Sequence, residues 1–289
     1  MAKGSNRGGA SLPAKWGQAQ RLEFIEFRLY WEGKLNRRDL IDFFGISTPQ
    51  ASLDLARYME LAPENIAYDK NLKAYLPARR FRPVVSSPEA ATYLDLLLAP
   101  ERPLSNFVGW MPGLGFLKVP NRQVKPAVLR PVLQAIREGA KLRLDYQSMT
   151  RPAPTERAIS PHAIAFDGLR WHARAYCYEH KTFRDFVLAR ILKVHGSEPS
   201  EIDPQADTTW HRMMDVVLAP HPELSAAQRK AIALDYGMRD ERLVLKTRRA
   251  LAFYVLRQLG LDEEGGGPRS QHIVLLNRDE ILAATKEGA

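Results

Sequence analysis

The chain has 289 residues, of which 45% are hydrophobic, and it carries a formal net charge of +9 with a pI of about 9.6. This composition allows two or three soluble domains, and no run approaches the roughly 18 consecutive apolar residues of a transmembrane helix. The single cysteine, Cys177, excludes an internal disulfide and a multi-cysteine zinc site. Residues 1–10 lack the apolar core of a signal peptide. We therefore expect a cytoplasmic protein with no membrane partner.

Charge is unevenly distributed along the sequence. Basic residues outnumber acidic ones through the first two thirds of the chain, and the balance reverses in the last third. A basic surface attracts the phosphate backbone of nucleic acids, and the release of condensed counterions drives binding. Because many soluble proteins are mildly basic without binding nucleic acid, composition alone leaves both interpretations open.

Three short helices are predicted near the N-terminus, because apolar residues recur there at helical spacing. They cover residues 18–31, 37–44 and 48–61 and follow a basic arm at residues 1–15. Gly45 stands at the natural stop of the second helix. Ser47 or Thr48 caps the third helix, and Pro49 falls in its first turn.

A hairpin is predicted directly after the third helix, at residues 66–76, with its turn at residues 69–71. This order of elements is typical of a winged helix-turn-helix, which places its third helix in the DNA major groove. Glutamine pairs with adenine, and lysine neutralises phosphate. The predicted DNA-binding residues are Arg7 and Lys15 in the arm, Ser47, Thr48, Gln50, Ser52 and Arg57 on the third helix, and Lys70, Asn71 and Lys73 in the wing. Alternatively, Ser47 and Thr48 only cap a helix of a three-helix bundle.

A proline-rich connecting segment follows, with helical pieces predicted at residues 88–98 and 126–138. From Lys141 the apolar period changes to two, which predicts strands. These cover residues 141–146, 158–166, 169–178, 182–188 and 191–195, and Asp167-Gly168 is a strong tight-turn signal between two of them. So many short strands in so few residues indicate a small antiparallel barrel or a strongly bent sheet.

Basic and aromatic side chains are interleaved along these strands. In the strand at residues 169–178, one face carries His172, Arg174, Tyr176 and Tyr178, while the other carries Trp171, Ala173, Ala175 and Cys177 and is predicted core. Arg157, His162, Arg184 and Arg190 lie on neighbouring strands. Arginine forks onto phosphate oxygens and aromatic rings stack on bases, so the pattern favours an anionic or nucleic-acid ligand. The alternative is an exposed face with ordinary ion pairs, such as Arg184 or Arg190 with Asp185 or Asp145.

The last third of the chain predicts mixed structure. Helices are predicted at residues 225–236 and 249–259 and strands at residues 241–247 and 272–277, while residues 210–218 fit either type. The acidic balance of this part suits a contact between subunits better than a contact with DNA.

Three runs in the central strands resemble the WYL domain, a family named for a Trp-Tyr-Leu tripeptide. They are Arg157-Ala-Ile-Ser-Pro-His162, Gly168-Leu-Arg-Trp171-His-Ala-Arg-Ala-Tyr176 and Phe183-Arg-Asp-Phe-Val-Leu-Ala-Arg190-Ile191, and the tripeptide itself is Trp171-His172-Ala173. The resemblance covers nearly the whole chain. Within the WYL family, the chain most resembles the BrxR/CapW-type repressors of phage-defence islands. It implies an α+β fold: an N-terminal winged helix-turn-helix (residues 1–77), a helical linker (78–130), a central Sm-like (SH3-like) β-barrel WYL domain (131–200) and a C-terminal α/β dimerisation extension (201–289).

The same resemblance implies a function and a ligand site. It implies a homodimer on an inverted-repeat operator in double-stranded DNA, released by a nucleotide or short nucleic-acid effector in the WYL pocket. The pocket residues carried over are Tyr146, Ser148, Arg157, His162, His172, Arg174, Arg184 and Arg190.

No catalytic set emerges from the sequence. His162 and His172 lie apart without an HExxH pattern or a flanking carboxylate pair, and the glycine runs lack the context of a phosphate-binding loop. We therefore expect no enzymatic activity, no cofactor and no metal site. Two alternatives remain open: an RNA or single-stranded nucleic-acid-binding protein that uses the basic barrel, and, less favoured, a nuclease.

Overall fold

The computed structural model describes residues 17–98, 107–115, 117, 122–263 and 265–286. The chain divides into two compact units, Met1–Lys118 and Val119–Ala289. In the described part of the chain, no helix combines the length and the apolar character needed to cross a membrane.

The first unit contains the predicted three helices and hairpin. Its elements are α1 (Gln18–Glu32), α2 (Arg37–Phe44), α3 (Thr48–Leu61), β1 (Ile66–Asp69), β2 (Ala74–Pro77) and α4 (Ala90–Leu98), and β1 pairs antiparallel with β2. Gly45 ends α2 in the left-handed region, at φ 63°, where a side chain would be strained. Ser47 caps α3, because its hydroxyl accepts a hydrogen bond from the Gln50 backbone N–H at 3.3 Å.

A buried carboxylate attaches the start of the connecting segment to this unit. Glu26 in α1 is 1% exposed and accepts hydrogen bonds from the backbone N–H groups of Val84, Val85 and Ser86 at 2.7–2.9 Å. The Tyr58 hydroxyl donates to the same carboxylate at 3.0 Å. Burial, followed by the charge of Glu26, raises the pKa of Tyr58 far above its ordinary value. The phenol therefore stays protonated and remains a donor.

The second unit begins with α5 and a five-stranded antiparallel sheet. The elements are α5 (Pro126–Glu138), β3 (Ala140–Tyr146), β4 (Thr155–Phe166), β5 (Trp171–Cys177), β6 (Thr182–Val187) and β7 (Ile191–Pro199), in the sheet order β6-β5-β4-β3-β7. All five predicted strands are confirmed, and Asp167-Gly168 forms the predicted turn, with Gly168 at φ 88°. α5 packs Val128 and Val132 onto the core face of the sheet.

The predicted barrel is not closed. Among the described residues β6 and β7 are the two edges of the sheet and are not paired with each other. They are nevertheless joined by the short turn Leu188–Arg190, which spans at most about 14 Å, whereas five flat strands would set their edges about 19 Å apart. The sheet therefore curls strongly, and register shifts in β3–β7 and β4–β5 provide the bends.

The C-terminal part forms two layers. Its elements are α6 (Thr208–His211), β8 (Met213–Pro220), α7 (Ala226–Asp235), β9 (Leu243–Arg248), α8 (Ala252–Gln258), β10 (Ile273–Leu275) and α9 (Arg278–Lys286), with sheet order β10-β8-β9. The undecided residues 210–218 divide between α6 and β8. α9 was not predicted. One face of the sheet packs on the helices through Val216, Leu256 and Ile281.

Candidate functional site

The N-terminal end of α3 is open to solvent. Ser47, Thr48 and Arg57 are exposed, and Ser52 is half-buried. The Ser52 hydroxyl donates a hydrogen bond to the Thr48 carbonyl at 2.9 Å, and Arg57 forms an ion pair with Glu60 at 2.9 Å. An exposed pair of this kind contributes little to stability, so Arg57 can exchange Glu60 for a phosphate at low cost.

Gln50 is held more tightly than the sequence suggested. Its amide nitrogen lies 3.2 Å from both carboxylate oxygens of Asp54, which is fully buried and paired with Arg21 at 2.6 Å. A contact between Gln50 and a base would therefore compete with this bond. Leu53, 63% exposed on the same helix, was missed because an apolar residue on a helix is ordinarily assigned to the core. Its methyl groups have the chemistry to contact a thymine methyl.

The wing presents its basic residues on a tight turn. Lys70, Asn71 and Lys73 are all exposed. The Asp69 carboxylate accepts hydrogen bonds from the backbone N–H groups of Asn71 and Leu72 at 2.8 and 2.9 Å, and this fixes the turn. Arg7 and Lys15 lie outside the described residues.

A cavity of about 190 Å³ opens at one end of the curled sheet. It brings together four of the eight predicted ligand residues: Tyr146, Ser148, Arg157 and Arg184. The other residues that line it are Thr150, Arg151, Cys177, His180, Asp185 and Phe186. The strand register explains why these residues lie together, because residues paired across neighbouring strands share one face of the sheet. The pairs on this face are Leu144 with Arg157, Ile159 with Cys177, and Ala175 with Arg184. The cavity thus continues the apolar core face of the sheet.

Three guanidinium groups give the cavity its positive character. Arg157 is 5% exposed, and Glu179 pairs with both Arg157 and Arg151. Burial, followed by the charges of Arg184, Arg157 and Arg151, lowers the pKa of His180, so its ring is neutral at pH 7. Because Arg184 is exposed and has several donors, the cavity can bind an anion such as a phosphate group.

The opposite face of the same strands carries a buried ion-pair cluster. Arg174, 4% exposed, donates to Asp207 at 2.7 and 3.1 Å, to Thr209 at 2.6 Å and to Asp185 at 3.2 Å. His162 Nε2 lies 2.9 Å from Asp207 Oδ2, the oxygen that also accepts from Arg174 Nε at 2.7 Å. Burial alone would raise the pKa of Asp207, but the hydrogen bonds from His162 and Arg174 and the charge of Arg174 outweigh it and hold that pKa far below its ordinary value.

Asp185 joins this cluster to the cavity and to the C-terminal layers. It lines the cavity, accepts from Arg174, and accepts from the Tyr254 hydroxyl of α8 at 3.0 Å. Burial, followed by the charge of Asp185, raises the pKa of Tyr254 far above its ordinary value. His172 packs 5.1 Å from the Tyr254 ring and bonds to Asp167 at 2.9 Å.

The structure therefore divides the predicted ligand residues into two sets. His162, His172 and Arg174 lie in or beside the buried cluster and do not line the cavity. Arg190 does not line it either; its carbonyl accepts from the Gln147 backbone N–H at 3.0 Å. Asp207 and Tyr254 were not predicted, because the cluster residues that they contact, Arg174 and Asp185, lie 33 and 69 residues away along the chain.

A second cavity, of about 620 Å³, lies beside α5 and is mainly apolar. Leu129, Leu133, Ile164 and Leu188 line it together with Trp171, the tryptophan of the Trp171-His172-Ala173 tripeptide. Trp171 thus faces this cavity and not the arginine-lined one.

Three side chains that could hold a metal ion meet on the sheet. The ligand atoms of Asp145, Glu156 and His195 lie within 4.8 Å of one another. Its members come from three different strands, so no local sequence pattern points to the group. His195 Nε2 lies 2.9 Å from Asp145 Oδ1, within hydrogen-bond distance, so the contact between these two residues does not require a metal ion.

Comparison with known proteins covers both units. Family models match the BrxR transcriptional regulator winged helix-turn-helix domain at residues 17–99, the WYL domain at residues 127–195 and the BrxR transcriptional regulator C-terminal dimerization domain at residues 213–281. The chain is 41% identical over 284 residues to the DNA-binding transcriptional repressor CapW of Stenotrophomonas maltophilia, covering 96% of this chain and 95% of that protein.

Further curated relatives carry the same description. The CapW repressor of Pseudomonas aeruginosa is 44% identical over 276 residues (93% of this chain, 92% of the relative), and that of Escherichia coli is 40% identical over 280 residues (95% and 94%). Among solved structures, the proteasome accessory factor B/C of Arthrobacter aurescens matches at 21% identity with a TM-score of 0.26, covering 93% of this chain and 48% of that chain.

Proposed function

Since the chain belongs to the CapW family of DNA-binding transcriptional repressors, we propose that it binds an inverted-repeat operator as a homodimer and represses a phage-defence operon. The observation that carries the proposal is the winged-helix unit, in which the capped N-terminal end of α3 and the basic wing are both open to solvent. A single unit of this kind offers few base contacts, so a two-fold dimer on two half-sites supplies the specificity.

On the DNA, Ser47, Thr48 and Ser52 are proposed to contact base edges or phosphates. Lys70, Asn71 and Lys73 contact phosphates or the minor groove, and Arg57 reaches the backbone once it leaves Glu60. Gln50 takes part only if the operator replaces its bonds to Asp54, which makes it the least favoured member of the set. Arg7 and Lys15 extend the contact along the adjacent groove.

We further propose that a nucleotide or a short nucleic acid binds in the arginine-lined cavity and releases the protein from DNA. Arg151, Arg157 and Arg184 support this, because together they suit a phosphate, and Tyr146 supplies an aromatic wall. The volume suits one nucleotide unit better than a long oligonucleotide. For release, the ligand must bind the DNA-free form better than the DNA-bound form. Asp185 is placed to transmit the change, since it contacts Arg174 and Tyr254.

DNA recognition is tested by fluorescence anisotropy with the promoter upstream of the protein's own operon. Thr48→Ala should weaken operator binding by about 1–3 kcal/mol while leaving affinity for random duplex unchanged. The control is Thr208→Ala, since Thr208 is also an exposed first residue of a helix but lies in the second unit. Equal affinity of the wild type for operator and random duplex, or preference for single-stranded RNA, would contradict the proposal.

The effector site is tested with nucleoside monophosphates and a 5′-phosphorylated dinucleotide as probes. Arg184→Ala should keep operator affinity within about twofold and abolish release by the probe that acts on the wild type. Arg143→Ala is the control, because Arg143 is exposed on β3 but lies on the opposite face from the cavity residues. If Arg184→Ala lowers operator affinity itself, the cavity belongs to the DNA footprint and the effector proposal fails.

A further inference from the structure

The three-stranded C-terminal sheet has one face that its core helices leave uncovered. Helices α8 and α9 pack on the side of Val216, Leu218, Leu245 and Ile273, where they contribute Leu256, Ile281 and Ala284 to a single core. In β8 the buried residues alternate along the strand, so the intervening residues point to the other side. Helix α6 contacts this second face at one end, where the Trp210 carbonyl accepts a hydrogen bond from Arg248 at 2.7 Å, and the residues of β8 further along this face are exposed or half-buried.

This second face is apolar. The register pairs Val217 with Val244 across β8 and β9, and Ala219 with Val274 across β8 and β10. Met213 lies on the same face, 56% exposed, and Val244 is 49% exposed. We call Met213, Val217, Ala219, Val244 and Val274, with the charged pair Asp215 and Lys246, the outer face.

The pattern of β8 is that of a strand buried on both sides. An antiparallel strand with one solvated face alternates apolar and polar residues, whereas a strand covered on both faces is a nearly continuous apolar run. β8 reads Met-Met-Asp-Val-Val-Leu-Ala-Pro, with Asp215 as its only charged residue. β-Branched residues on the outer face would add little to an isolated sheet, because solvent leaves them half exposed.

We infer that the outer face is the surface on which a second copy of this chain packs. The inference rests on the homodimer proposed above, and on the match of residues 213–281 to a C-terminal dimerization domain, which spans the whole sheet. Charge also favours a second copy. Asp215 and Lys246 are exposed and are paired in register across β8 and β9. A two-fold axis that runs between these two strands would place Asp215 of one chain opposite Lys246 of the second copy, and Lys246 opposite Asp215.

The area sets the role of this face in the dimer. The three strands have eight, six and three residues, and each residue covers about 3.3 Å by 4.8 Å, so the face measures roughly 270 Å². A standard interface buries about 800 Å² per partner. The outer face is therefore the apolar centre of the interface, and flanking residues such as Leu276, 49% exposed directly after β10, complete it.

The test is the oligomeric state of the full chain by sedimentation velocity. Val244→Lys should raise the dimer dissociation constant by about a hundredfold or more, because each dimer then buries two lysines at its centre. Val244 is half exposed in one chain, so the lysine reaches solvent in a folded monomer, and far-UV circular dichroism should be unchanged. Leu234→Lys is the control: Leu234 is 74% exposed on α7, in the helical layer, and the variant should stay dimeric.

A charge exchange provides a second test that does not depend on burying lysine. Asp215→Lys alone should weaken the dimer through repulsion with Lys246, and Asp215→Lys combined with Lys246→Asp should restore it. A monomeric wild type would overturn the homodimer proposal together with this inference. A dimeric wild type whose Val244→Lys variant also stays dimeric, or whose dimer is broken only by Leu234→Lys, would overturn the outer face alone.

Discussion

Loss of the buried Asp207 carboxylate should destabilise the second unit strongly. Asn at this position keeps the shape and one acceptor but removes the charge. Arg174 donates to both Asp207 oxygens, so the amide N–H₂ of Asn faces a guanidinium N–H in either orientation. Arg174 is 4% exposed and would keep one bond to the amide oxygen, the bond to Thr209 and the longer bond to Asp185. Breaking a buried ion pair by removing one partner costs about 3–5 kcal/mol, and we expect the lower end, about 3 kcal/mol, because Asn retains one acceptor.

The assay is thermal unfolding followed by circular dichroism. For a unit of this size, Val119–Ala289, about 3 kcal/mol corresponds to a fall in Tm of roughly 6–12 °C. Asp203→Asn is the matched control, because Asp203 is exposed and only caps the turn Pro204–Ala206, a task that Asn performs equally well. Its Tm should fall by less than about 2 °C.

A double-mutant cycle tests the cause. If Arg174 is the group left uncompensated, Asp207→Asn should cost much less in an Arg174→Met background than in the wild type. If the losses of stability caused by Asp207→Asn and Arg174→Met are additive, or if Asp207→Asn melts within about 2 °C of the wild type, the reasoning is refuted.

Three further outcomes are expected. Because the folded pKa of Asp207 lies below its ordinary value of 3.8, the stability it provides is present above about pH 4 and is lost as the pH falls further; Asp207→Asn should flatten this acid limb in pH-dependent melts. Lys73→Ala should reduce the slope of log K against log salt by about 1 without altering base preference, whereas Lys181→Ala, an exposed turn lysine in the second unit with a similar positive φ, should leave the slope unchanged. Tyr254→Phe removes the bond to Asp185 and should cost about 1.5–3 kcal/mol in chemical denaturation; an unchanged midpoint would show that the bond is not formed in solution.

Local sequence signals predicted the elements of the first unit well. α2 has the predicted bounds, Ser47 caps α3, and the hairpin follows where β-forming residues flank a polar turn. Helix stops, caps and strand periods depend on residues a few positions apart, so the sequence carries them directly.

The composition of the site was less predictable, because parity along one strand does not fix the register between strands. Arg174 and Arg184 both belong to basic, aromatic strands, and sequence reasoning grouped them. The register pairs Arg174 with Asp185 and Ala175 with Arg184, which sends the two arginines to opposite faces. Local sequence patterns do not predict the role of Asp207 either, because it follows β7 and lies 33 residues from Arg174 along the chain. The sequence also left a small barrel and a strongly bent sheet both open, because the number of strands sets neither the tilt nor the pairing of the edges; the described sheet is curled with two separate edges.

The Glu26 attachment has a consequence for where the first unit can be cut. Glu26 accepts from the backbone N–H groups of Val84, Val85 and Ser86, all of which lie beyond the hairpin. A fragment that stops at Pro77 would leave this buried carboxylate without three of its donors. A fragment that continues through Ser86 should therefore unfold at a clearly higher temperature than one that ends with the hairpin.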